Sequence, residues 1–107
     1  MNKLVNYFRA MGEETRLRII TMLLQEEMCI CELIEELGLS QSAVSHHVKI
    51  LKQAELVNDR RQGKWTFYSI DKAGFERAVK HFQREIVTPV ENYEYKLKEE
   101  PEAKCLS

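Results

Sequence analysis

Apolar residues recur along this chain with two different periods. Leu4, Val5, Phe8 and Met11 fall at helical spacing, which predicts a first helix over residues 3–11, ended by Gly12. Leu17, Ile20 and Leu24 share one face of a second helix over 15–25, with Ile19 and Leu23 beside them. Glu13 and Glu14 precede it and suit the positive end of its dipole. Met28 to Ile30 reads as a short apolar link. A third, short helix over 31–37 turns Leu33, Ile34 and Leu37 inward, with Gly38 as its C-terminal stop. Ser40 is a good N-cap for a fourth helix, striped by Val44, Val48 and Leu51 with His47 on the same side. The opposite face of that helix is Gln41, Ser42, Ser45, His46, Lys49 and Lys52, with no acidic and no large apolar residue.

After Glu55 the period drops to two. Residues 56–61 and 65–70 read as strands, the second rich in aromatic and β-branched side chains. Gln62-Gly63-Lys64 fits a tight turn between them, giving a hairpin with a basic tip of Arg60, Arg61 and Lys64. Phe75, Val79, Phe82, Ile86, Val90, Tyr93 and Leu97 then follow a 4-3 spacing. Pro89 interrupts it, so either a kink or two helices over 72–87 and 89–99 are expected. The fold class is therefore mainly α with a small β-hairpin wing, a winged helix-turn-helix. Residues 1–100 form its one domain and residues 101–107 a flexible tail.

Composition changes this picture only locally. A chain of 107 residues, 44% hydrophobic and 31% charged, suits one globular core and argues against wholesale disorder. No apolar run approaches the roughly 20 residues that span a bilayer, and no apolar h-region marks a signal peptide. No membrane partner and a cytoplasmic location are expected. The formal charge of -1 would discourage a nucleic-acid reading if it were evenly spread. Residues 40–64, however, hold five basic and two acidic side chains, a +3 island between acidic flanks. That island spans the fourth helix and the hairpin; charge alone favours a solvated face, while a local basic face is also what phosphate contact requires.

Each part of a helix-turn-helix has a physical task here. Ser40 and Gln41 open the recognition helix, whose N-terminal residues reach base edges and phosphates. Ser42 and Ser45 are short enough to let it approach the major groove. His46 faces outward as a base contact, while Lys49, Lys52, Arg60, Arg61 and Lys64 meet flanking phosphates. The stretches Glu14-Thr-Arg-Leu-Arg-Ile, Cys29-Ile-Cys-Glu-Leu, Ser40-Gln-Ser-Ala-Val-Ser-His-His-Val-Lys-Ile-Leu and Arg61-Gln-Gly-Lys-Trp-Thr-Phe-Tyr-Ser-Ile resemble the ArsR/SmtB family of winged-helix metal-sensing repressors over about residues 5–70. The Cys-x-Cys resembles its arsenic-responsive branch. The resemblance implies a repressor that is a homodimer through its terminal helices, bound to an imperfect palindrome and released from operator DNA by metal.

Three cysteines, Cys29, Cys31 and Cys105, are an odd number, which argues against a structural disulfide framework. Cys29 and Cys31 stand at a predicted helix N-terminus, which favours the thiolate. Two residues apart on a regular helix do not face each other. Joint binding of one ion therefore requires that the first turn unwind or that the helix start after Cys29. Soft thiolates select soft ions: As(III) or Sb(III) as inducer, or Cd(II) or Zn(II). The related pattern often has a further Cys where this chain has Ile34, so Cys105 is the candidate third ligand, and an incidental thiol is the alternative. Both sulfurs of the pair could instead be small buried hydrophobes.

A second site of the family uses Asp and His ligands near the start of the last helix with His and Glu further along. Here only Asp71, His81 and Glu85 are present, so that pattern is incomplete, and His81 with Glu85 reads as a surface pair. Two other functions compete with the metalloid-responsive repressor. One is a thiol-redox or persulfide-responsive repressor, with Cys29 or Cys31 joined to Cys105 on oxidation. The other is a dimeric interaction module that binds no DNA. No enzyme is expected, since no nucleophile triad, phosphate-binding glycine loop or distinctive carboxylate pair is present.

Overall fold

The computed structural model describes residues 1–99. The tail expected at 101–107, with Cys105, lies outside the described residues. Helix α1 spans Asn2–Met11 and ends at Gly12. Helix α2 spans Glu14–Leu23, and Glu13 caps it by accepting a 3.0 Å hydrogen bond from the Arg16 N–H. That backbone hydrogen bond holds the Glu13 carboxyl below its usual range. Strand β1 is Met28–Cys29, helix α3 is Ile30–Leu37 and helix α4 is Gln41–Gln53. Strands β2 (Val57–Gln62) and β3 (Trp65–Ile70) form the expected hairpin, with Gly63 at φ 61° supplying the left-handed turn.

Sequence periodicity did not reveal β1. Two residues are too few to show alternation, yet they pair antiparallel with β3, Met28 opposite Tyr68 and Cys29 opposite Phe67. The sheet therefore has three strands in the order β1-β3-β2 rather than two.

The core lies where α2, α3 and α4 meet the sheet. Ile19, Leu33, Val44, Leu51, Leu56 and Val57 are its most deeply buried side chains. Gly38, at φ 66°, ends α3 as expected. Ser40 then caps α4, its Oγ accepting from the Ala43 N–H at 3.2 Å.

Helix α4 stops by a less usual route. Glu55 takes φ 61°, and the Leu56 N–H donates to the Leu51 carbonyl at 3.0 Å. The Glu55 carbonyl thereby faces helix α5, Lys72–Phe82, at Gly74, where an added Cβ would lie 1.7 Å from that oxygen. Gly74→Ala is expected to destabilise the fold by about 1–3 kcal/mol, because backbone must move to admit one methyl. The urea midpoint at unchanged slope measures it.

The last helix differs from expectation. Past Phe82 it widens into a π turn over Gln83–Val87, then tightens as α6, Thr88–Glu91. The wider turn shifts the hydrogen-bond register just before Pro89, whose ring nitrogen cannot donate. The helix expected to run to residue 99 stops at Glu91. Tyr93, Tyr95 and Leu97 are exposed, so among the described residues no surface stabilises a helix there.

Candidate nucleic-acid interface and cysteine site

Helix α4 buries Val44, Val48 and Leu51 and presents Gln41, Ser42, His46, Lys49 and Lys52 to solvent, with Ser45 half-buried. Ser40 is occupied as a cap, and its Oγ sits 3.3 Å from that of Ser42. His47 is half-buried, and its Nδ1 lies 3.1 Å from Arg16 Nη1. Arg16 also donates from Nε to the Ala10 carbonyl at 2.6 Å and from Nη2 to the Arg9 carbonyl at 3.1 Å. One guanidinium thus satisfies the open end of α1 and braces the recognition helix. No local signal marks Arg16, because its partner lies 31 residues away.

The five cations of the basic island are not equivalent. Lys52 donates to Asp59 on β2 at 2.7 Å. Arg60 grips Glu27 bidentately, Nε to Oε2 at 2.8 Å and Nη2 to Oε1 at 2.6 Å, while its Nη1 donates to Gln62 at 2.7 Å. Hydrogen bonding to Arg60 holds the Glu27 carboxyl below its usual range and raises the guanidinium above its own. Lys49, Arg61 and Lys64 have no carboxylate partner among the described residues, and Lys64 lies over the Trp65 ring at 5.5 Å. Of the expected phosphate contacts, these three stand ready, whereas Lys52 and Arg60 must first leave a partner. Glu27 read as solvated surface in the sequence, and neither its pairing nor that of Asp59 was legible, because contacts across 33 and 7 residues are set by tertiary structure.

Cys29 and Cys31 converge. Cys29 is the extended residue before α3, at φ -79° and ψ 162°, so the helix begins at Ile30. Of the two routes open to a shared ligand, the structure takes the second: no unwinding is needed. The two sulfurs meet as a disulfide, with Cα atoms 5.5 Å apart. An odd cysteine count argues against a structural disulfide framework; the pair meets nonetheless, because one extended residue turns the Cys29 side chain toward Cys31. This pairing also differs from the redox pairing with Cys105. Cys29 is 5% exposed, while Cys31 is open to solvent. The Cys29 N–H donates to Glu32 Oε1 at 3.0 Å, fixing the first turn. No cluster of three His, Cys, Asp or Glu side chains that could hold a metal occurs among the described residues. Among the described residues the cysteine donors are this pair alone, which once reduced would suit a soft ion taking two thiolates.

The incomplete second site has other uses. Asp71 caps α5 by accepting from the Gly74 N–H at 2.9 Å. His81 pairs with Glu85 at 3.2 Å.

A helix-turn-helix whose second helix lies beside a three-stranded wing, with unpaired cations on both, is the architecture of a winged-helix DNA-binding regulator. Residues 13–59 match the bacterial regulatory protein, arsR family. The chain belongs to that family, a family of transcriptional regulators rather than enzymes. It is 44% identical over 69 residues to an uncharacterised HTH-type transcriptional regulator of Methanocaldococcus jannaschii, covering 64% of this chain and 78% of that one. It is 37% identical to the arsenical resistance operon repressor of Escherichia coli, covering 62% of this chain and 57% of the relative. The structure of HlyU from Vibrio cholerae superposes with a TM-score of 0.65 at 35% identity, covering 80% of this chain and 94% of that one. Among the described residues no helix is long and apolar enough to cross a membrane.

Proposed function

We propose that this chain is a cytoplasmic, homodimeric repressor released from operator DNA when a soft ion binds Cys29 and Cys31. The observation that carries the reading is the convergence of these two sulfurs at the start of α3. That helix leads through Gly38 and two further residues into α4, the recognition helix. A ligand that binds one arrangement of the α3 N-terminus better than another shifts the population of α4 positions with it. The arsenical name of one relative supports As(III) or Sb(III) as inducer, with Cd(II) and Zn(II) as two-thiolate candidates. Cys105 is the proposed third sulfur for the trivalent ions. An operator gel shift with and without arsenite tests the reading, and unchanged binding rejects it.

The disulfide favours a second reading, in which oxidation of Cys29 and Cys31 to each other is the signal. Diamide in place of arsenite, reversed by dithiothreitol, distinguishes it.

On DNA, one recognition helix is assigned to each major-groove half-site of an imperfect palindrome. Ser40, Gln41, Ser42, Ser45 and His46 lie along its leading half. Lys49, Arg61 and Lys64 meet phosphates, and Lys52 remains a candidate that must first leave Asp59. Lys64→Ala is expected to weaken binding to all sequences alike and to lower the salt slope by about 0.9 per lost phosphate contact. His46→Ala is expected to change sequence preference by about 1–3 kcal/mol at one base pair. Affinity measured over a salt series on operator and mismatched duplexes separates the two. A preference change confined to Lys64→Ala would reverse the assignment.

A further inference from the structure

Arg60 sits on the wing, but its donors face inward along the sheet. In register, Phe67 of β3 lies opposite Cys29 on one side and opposite Arg60 on the other. Residues opposite one another share a face of the sheet, so Cys29, Phe67 and Arg60 form a row across it. The Arg60 guanidinium lies 4.6 Å from the Phe67 ring centroid. From there it reaches over to Glu27, two residues before Cys29, with hydrogen bonds of 2.8 and 2.6 Å. The result is a closed ring: Glu27 and Met28 to Cys29, the ladder to Phe67, the ladder to Arg60, and the ion pair back to Glu27. Its one charge-dependent joint is bidentate, the geometry that adds direction as well as strength. All three guanidinium nitrogens are engaged, the third by Gln62 at 2.7 Å.

We propose that Glu27 and Arg60 are positioning residues that carry the state of the cysteine pair to the wing, and that Arg60 is not itself a DNA contact. This rests on the reading of Cys29 and Cys31 as the sensing pair and adds a second route of regulation beside α3 and α4. When Cys29 moves to engage a ligand, β1 and Glu27 move with it. The clasp on Arg60 passes that motion to β2, where Arg61 and the turn to Lys64 follow. Without the clasp, the direct link within the sheet from the cysteines to the hairpin is the two-residue β1 ladder.

The test reads amide hydrogen exchange over residues 58–68 together with operator affinity across a salt series. Wild type is compared with arsenite and without it. A Cys105→Ser background is compared in dithiothreitol and after diamide, which can then close only the Cys29–Cys31 disulfide as two protons and two electrons pass to the diamide nitrogens. In both arms, ligation or oxidation is expected to change wing exchange by about fivefold or more, within the usual range of coupling between sites. Glu27→Gln and Arg60→Gln are each expected to reduce that change to within about twofold, and Glu27→Arg with Arg60→Glu to restore it. Arg60→Gln is expected to leave the salt slope unchanged, whereas a phosphate contact would lower it by about 0.9 per site.

A wing that responds equally with and without the clasp overturns the proposal. So does a swapped pair that fails to restore the response, a salt slope that falls in Arg60→Gln, or a diamide arm that leaves the wing unmoved. An arsenite arm that is silent beside a diamide arm that depends on Arg60 supports the link and rejects the metalloid reading alone.

Discussion

Val79→Glu is expected to leave the chain folded but monomeric, and to lower operator affinity by about 10³-fold or more. Val79 is 62% exposed on α5, so a carboxylate there disturbs no core packing. It lines an apolar cleft of about 220 Å³ between α1 and α5, together with Leu4, Tyr7, Phe8, Met11, Phe75, Ala78 and Phe82. Phe8 and Phe82 meet edge to face at 5.7 Å, yet both remain substantially exposed, as do Ile86 and Val90 further along. A contiguous apolar face of this kind marks an interaction surface rather than ordinary protein exterior. A second copy of the chain is the proposed occupant, in line with the homodimer that the family resemblance implies. Burying a charge in such an interface without a partner is strongly unfavourable. A monomer keeps one recognition helix and half of the phosphate contacts, which moves binding toward the non-specific range. Sedimentation and far-UV circular dichroism check the two halves of the prediction, followed by operator titration at fixed salt. A Val79→Glu protein that remains dimeric would place the interface elsewhere.

Cys31→Ser is expected to keep operator affinity within about twofold while removing the response to arsenite. The response removed is an arsenite-induced drop in operator affinity of about 5–150-fold, the usual span of coupling between two sites. Cys31 is the cleaner position because its side chain is exposed, so a hydroxyl there meets water. Cys29 is the buried N-cap of α3, so Cys29→Ser would also change the packing and the cap at the start of that helix. Without Cys31, neither the Cys29–Cys31 chelate nor the Cys29–Cys31 disulfide can form. The substitution therefore silences both readings of the site, while arsenite against diamide on wild type separates them. Retention of the arsenite response in Cys31→Ser would remove the pair from the mechanism.

Much of the fold was legible in the chain because its signals are local. Gly12, Gly38 and Gly63 end or turn elements where they were expected to, and Ser40 caps α4. Each acts within about four residues, through backbone conformation or one hydrogen bond. The stripe Val44, Val48 and Leu51 told which side of α4 is buried, and therefore which side is free. The basic island located the surface that carries the unpaired cations Lys49, Arg61 and Lys64, because charge clustered in sequence stays clustered on a helix and the hairpin beside it.

What the chain alone left open depended on contacts between distant segments. Whether Cys29 and Cys31 could act together turned on one backbone position. The extended conformation of Cys29 follows from pairing with β3, 38 residues on at Phe67. The availability of each cation was likewise undecided, because Glu27 and Asp59 neutralise Arg60 and Lys52 only once sheet and helices are assembled. The helix expected through residue 99 failed for the same kind of reason: apolar spacing licenses a helix, but a surface to bury it on is what stabilises one. The sequence by itself determined the elements, their order and the face of α4 that meets solvent, since those follow from propensity, capping and period. Only the tertiary structure decided which thiols converge and which cations are held, since both depend on strand register and long-range pairing.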